Sequence, residues 1–168
     1  PKDATHLFIS IGGNDALMHI NSFSESVSTI GEALDSLNER VQEFEKDYIK
    51  MLSNVTEYRL KTTLCTIYNP CFDHSSLDRI ISMLPTNPNV EKLQKRAMTA
   101  LPIFNNVIFQ EAFNFGLPVM DLRLIFSSDD DYANPIEPSA VGGMKMAKII
   151  KEISCNHDFS MKNSVVYQ

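Results

Sequence analysis

Residues Gly12-Gly13-Asn14-Asp15 combine backbone that can bend with an amide and then a carboxylate. They follow His6-Leu7-Phe8-Ile9-Ser10-Ile11, a short, nearly continuous apolar run of the kind buried on both faces of a parallel sheet. Glycine at such a point lets the chain turn sharply and lets a ligand come close to the backbone. Asn14 and Asp15 would then stand at the carboxyl edge of the sheet, where open α/β folds place their ligands. The plainer reading is a strand end closed by an Asx turn, because Gly, Asn and Asp are also the commonest turn formers.

Other chemistry-bearing residues are scattered. The four histidines, His6, His19, His74 and His157, show no i, i+4 pair, so no metal site is expected. Asp121 and Arg123, two apart, suit a structural ion pair. Asp129-Asp130-Asp131 reads as a solvated loop. Neither Gly-x-Gly-x-x-Gly after a strand nor Gly-x4-Gly-Lys-Ser/Thr occurs, which argues against a nucleotide binder, and no cofactor is expected. Of the three cysteines, Cys65 falls in an apolar strand and reads as a small hydrophobe. An odd number without metal-type pairing mildly favours a reducing compartment such as the cytoplasm. Asn54-Val55-Thr56 matches a glycosylation triplet, a pattern common by chance.

The 168 residues fit one domain, and 43% apolar with 21% charged content is ordinary for a globular chain. A net charge of −6 argues against a nucleic-acid partner, which calls for clustered Lys and Arg. No apolar run approaches the roughly 18 residues of a membrane helix, and no secretory leader opens the chain. The sequence starts at Pro1 and enters a buried-type strand almost at once, so it reads as a piece of a longer domain.

The elements that must position these residues follow in order. Ser22 and Glu25 have the form of a capping box. Apolar residues at 30, 34, 37, 41, 44, 48, 51 and 55 then mark one face of a long helix over about 24–56. Residues 61–68 form a β-branched strand ended by Asn69-Pro70. Asp73 or Ser75 could cap a short helix reaching Leu84. A second long helix spans 91–115, kinked or split by Pro102 and closed by Gly116. Residues 117–126 read as a third strand with Asp121 and Arg123 on one face, and 127–134 as the acidic loop. A last helix covers 139–153, with Ala140, Val141, Met144, Ala147, Ile150 and Ile153 inward, and 156–168 reads as a tail. The β-α-β-α-β-α order implies a parallel sheet between helices, a three-layer α/β/α sandwich.

Three stretches in fixed order carry a family resemblance over about residues 3–153. They are Asp3 to Leu17 with its Gly-Gly-Asn-Asp, then Tyr68-Asn69-Pro70-Cys71-Phe72, then Leu117 to Arg123 followed by Asn134-Pro-Ile-Glu-Pro-Ser139 and Gly142-Gly143. Together they resemble the later two-thirds of an SGNH hydrolase (GDSL-type esterase/lipase). The resemblance implies the flavodoxin-like fold of that family with its N-terminal strands missing, so that residues 1–155 would be a partial domain. It implies Asn14 as an oxyanion donor on a loop opened by Gly13, with Asp15 and Asn134 near the substrate. An amide aimed at the oxyanion of ester cleavage contributes about 3–4 kcal/mol.

The family's nucleophilic Gly-Asp-Ser and its second oxyanion glycine would precede residue 1. Ser10, inside the strand, and Ser139, opening a helix, lack the Gly-Asp. In the last block Asn134 takes the Asp slot and Glu137 the slot of the general-base His. Glu137 is then a replacement base or a helix cap, and one of Asp129 to Asp131 takes the acidic role under another alignment. His19 and His74 are the histidines that could approach the carboxyl edge as substitutes. The expected function is a fragment of a serine ester hydrolase, inactive as this chain, with a small ester as substrate. The alternative is a non-catalytic SGNH-like binding module. Loss of neighbouring strands would expose the edge of residues 7–11 and favour self-association there.

Overall fold

The computed structural model describes residues 2–19, 26–72 and 89–168. It is a mixed α/β structure with a four-stranded parallel sheet: β1 (His6–Ile9), β2 (Lys61–Cys65), β3 (Val119–Met120) and, from the end of the chain, β6 (Val166–Tyr167). The spatial order is β1-β2-β3-β6, with Leu7 beside Thr62, Leu64 beside Val119, and Met120 beside Tyr167. A second sheet is the small antiparallel hairpin of β4 (Tyr132–Asn134) and β5 (Glu137–Pro138).

Alternation along the strands divides the core. Ile9, Leu64 and Val119 pack with Phe44, Tyr48 and Leu52 of α2 (Ile30–Thr56) and with Leu101, Phe104 and Ile108 of α3 (Val90–Phe115). Phe8, Cys65, Met120 and Tyr167 enter a separate cluster with Leu122 and Ile125 of α4 (Leu122–Ile125) and Ile149 and Ile153 of α5 (Ala140–Asn156). Burial pushes the Cys65 thiol up to about 12, so it serves as a small core hydrophobe.

The long helices form where the apolar spacing placed them, with local differences, and α2 begins at Ile30 instead of near residue 24. Thr29 caps α2: its hydroxyl accepts from the Glu32 amide at 3.1 Å, and Glu32 accepts from the Ser28 amide at 2.7 Å. The Ser22–Glu25 cap and the short helix to Leu84 lie outside the described residues. Pro102 does not split α3. Both Pro102 and Met98, whose carbonyl loses its helical donor, lie at the surface, where water can satisfy that carbonyl. Phe113 is exposed at the end of α3, and Val141 and Met144, expected inward, are exposed on α5 because its buried line runs through Gly142, Ile149 and Ile153. Ala140 and Ala147 are also exposed, while Ile150 is half-buried. A Cβ on Gly142 would lie 2.3 Å from the Asp131 carbonyl, so this close approach of helix to loop requires glycine.

Two larger corrections concern the sheet. The third strand is only Val119–Met120: Asp121 ends it by accepting from the Arg123 amide, and Leu122 starts a helical turn. Residues 156–168 are no tail. After α5 they cross the amino end of the sheet, where Phe159 meets His6 and Lys61 and Lys162 lies against Gly116. They finish as β6, with the Val119 amide donating to Val165 and the Asp121 amide to Tyr167. No helix among the described residues is long and apolar enough to cross a membrane.

Candidate functional site

The turn after β1 is built on Gly12, not Gly13. Gly12 has φ +102°, and a Cβ there would lie 3.0 Å from the Phe44 ring. Left-handed backbone and contact with the core both demand glycine. Gly13 already belongs to the short helix α1 (Gly13–Met18), and a Cβ on it would meet nothing closer than 3.8 Å. The turn leaves Asn14 and Asp15 exposed at the carboxyl end of β1, with no hydrogen bond from the Asn14 side chain to any other described residue.

Both residues line a cleft of about 1080 Å³. Its walls are the α1 turn, the amino-terminal half of α2, the middle of α3 and the chain after β2, and Glu137 closes one side. Ile30 and Leu34, expected in the core, are 82% and 58% exposed and face this cleft. Ser10 and His19 also border it. Ser10 is exposed just past the end of β1 instead of within it, and no described side chain is hydrogen-bonded to its hydroxyl.

Asn134 is not among the lining residues. Its Oδ1 accepts from the Ile136 amide at 3.0 Å, closing a tight turn, and its Nδ2 donates to the Glu137 carboxylate. Asn134 therefore orients Glu137. Glu137 caps no helix: Ser139 caps α5, its hydroxyl accepting from Val141 and Gly142 while donating to the Asp130 carbonyl. Ser139 is thus fully engaged in structure. His6 and His157 lie at the opposite end of the sheet, and His74 is outside the described residues.

The segment between β2 and the cleft is held from both sides by residues whose role sequence pattern does not reveal. From α3, fully buried Asn105 accepts from the Ile67 amide at 2.7 Å and donates to the Ile67 carbonyl at 2.8 Å. Three helical turns earlier, Gln94 accepts from the Phe72 amide and donates to the Pro70 carbonyl. From the hairpin side, the Tyr68 hydroxyl donates to the Ile136 carbonyl at 2.6 Å and the Tyr132 hydroxyl to the Asn69 carbonyl at 2.8 Å. Burial first, and then the nearby Glu137 carboxylate, push the Tyr68 hydroxyl above its ordinary pKa, so it remains a donor. The only sequence signal for Asn105 and Gln94 is an amide beside the apolar stripe of α3 at an eleven-residue spacing.

The acidic triplet is divided. Asp129 and Asp130 are exposed, but Asp131 is fully buried, a correction to the reading as a solvated loop. Its carboxylate accepts from the Ser127 and Ser128 amides and from Lys145 Nζ at 2.7 Å. Burial opposes its ionisation, yet these donors outweigh it and hold the carboxyl below its usual range. Asp121 and Arg123 do pair, at 2.6 Å, and Asp121 also accepts from Thr66 at 2.9 Å. Both carboxylates are structural. Among the described residues no group of three His, Cys, Asp or Glu could hold a metal ion.

No family model, curated protein or solved structure matches the chain.

Proposed function

We propose that this cleft is the oxyanion side of an SGNH-type serine ester hydrolase site on a three-layer α/β/α fold. The observation that carries the reading is convergence. The Gly12–Asp15 turn and Glu137, far apart in the chain and assigned to one site by the resemblance, line the same cleft. In this reading Asn14 Nδ2 donates to the oxyanion that develops when a seryl hydroxyl, supplied by chain outside residues 1–168, attacks the ester carbonyl. Glu137, oriented by Asn134, stands in the slot of the general base. Exposed apolar side chains of α2 provide a wall for the acyl or alcohol group.

The test compares this chain with the protein encoded by the full reading frame on short-chain nitrophenyl esters. The full protein should turn over and take a fluorophosphonate label, and residues 1–168 alone should do neither. Asn14→Ala in the full protein should lower kcat about 10²–10³-fold with KM little changed. An Asn14→Ala enzyme with undiminished kcat would remove Asn14 from the chemistry.

A second reading, a non-catalytic binding module, draws on the Asn134–Glu137 pair. It presents an amide-held carboxylate where hydrolases of this type place an imidazole, and a carboxylate is by its chemistry a weaker base than an imidazole toward a seryl hydroxyl. A full-length protein inert to esters and to fluorophosphonate would select it.

A further inference from the structure

We propose that His157 and Tyr167 form a pH-sensitive latch that holds the fourth strand on the sheet and lets it go when the imidazole takes up a proton. This proposal is independent of the hydrolase reading.

The latch joins the start of the crossing, where residues 157–165 pass from α5 to β6, to Tyr167 at the end of β6, beside Met120. His157 Nδ1 and the Tyr167 hydroxyl are 2.9 Å apart, tying the first residue of the crossing to the strand at its end. The other ring nitrogen, His157 Nε2, is buried with no hydrogen-bond partner among the described residues. A proton there would have no acceptor and would carry charge into a desolvated position. The surroundings favour the neutral ring. Phe159 packs edge-on to His157 at 4.6 Å and to His6 of β1 at 5.5 Å, and His6 Nε2 is likewise buried without a partner. Lys61 Nζ of β2 lies 5.8 Å from the same Phe159 ring, so a protonated His157 would add a second cation to this corner. Asp158, next in the chain, opposes these effects, and Glu152 of α5 acts on Tyr167. Burial prevails over Asp158 and holds His157 below its ordinary pKa.

The sign follows from linkage. An imidazole kept neutral by the fold stabilises it above the unfolded value of about 6.5, and that contribution declines as pH falls below it. The affected strand is short, two residues with few backbone bonds to β3, so local release precedes global unfolding. Release also reaches the cleft. The Tyr167 carbonyl accepts the Asp121 amide, the Asp121 carboxylate holds the Thr66 hydroxyl, and Thr66 lines the cleft.

Hydrogen exchange on residues 1–168 between pH 7.5 and 5.5, corrected for intrinsic rates, tests the latch. Protection of the Asp121 amide and of 165–168 should fall on acidification, by at most about tenfold, while protection of β2 stays level. His157→Gln keeps a hydrogen-bonding partner for Tyr167 and cannot titrate, so its protection should be nearly flat with pH. His6→Gln should keep the wild-type slope. A flat wild-type profile, or a slope lost in His6→Gln and retained in His157→Gln, overturns the proposal. Should His157→Gln fail to dock the strand at pH 7.5, an NMR titration of the wild-type His157 ring decides instead. A midpoint below that of an ordinary histidine supports the latch, and one at or above it overturns the latch.

Discussion

The two ends of the parallel sheet treat polar side chains in opposite ways. At the carboxyl end Asn14, Asp15 and Glu137 are exposed at the cleft, and the polar groups beneath them, Asn105, Gln94, Tyr68 and Tyr132, are engaged with backbone. At the amino end the crossing of residues 157–165 packs against two half-buried imidazoles, each with a buried nitrogen that has no partner among the described residues. One end is a hydrogen-bonded frame presenting exposed donors and acceptors outward, as a binding site requires. The other is a closed seam whose stability depends on a titratable ring remaining neutral. Two asparagines show the difference directly: Asn14 is exposed, whereas Asn105 is wholly buried and bonded through both its oxygen and its nitrogen.

The strongest way to break this comparison is to exchange the roles of the asparagines. Asn105→Leu leaves the Ile67 amide and carbonyl unpaired in the interior, and should destabilise the protein by about 4 kcal/mol in urea unfolding. Asn14→Leu should stay within about 0.5 kcal/mol of wild type. Equal losses would mean that Asn14 is part of the frame and not of what it presents.

A smaller effect sharpens the account of the turn. Gly12→Ala forces a left-handed alanine against Phe44 and should cost about 2 kcal/mol. Gly13→Ala should be nearly neutral in the same assay. A reversal of that order would return the turn to Gly13.

The smallest expected effect concerns acid. Asp121 and Asp131 are opposed by burial, but their donors hold both below the usual carboxyl range. Their stabilisation is therefore complete above about pH 3.9 and is lost as pH falls through the lowered folded values. Lys145→Met removes one donor from Asp131. Lys145 is partly exposed, so the loss near neutrality should be only about 1 kcal/mol, with acid unfolding beginning at higher pH. An unchanged acid midpoint would show that the Ser127 and Ser128 amides hold Asp131 unaided.

What the sequence determined by itself is the local and periodic part. The apolar run before Gly12 is a strand, the spacing from Phe44 to Val55 winds one face of α2 inward, and Gly116 ends α3. Each follows from side-chain sterics, 3.6- or two-residue periodicity, or a cap within one turn. Only the tertiary structure decided the rest. Val166–Tyr167 is too short to carry a periodic signal and becomes a strand because β3 offers it an edge. Asp131 is buried while Asp129 and Asp130 are not, because α5 approaches the loop so closely at Gly142 that Lys145 reaches it. Ile30 and Leu34 have the spacing of core residues, yet they line a cleft, since whether an apolar face is covered depends on what packs against it. Short-range physics writes the elements, but a side chain's partner is set by chain that is distant in sequence.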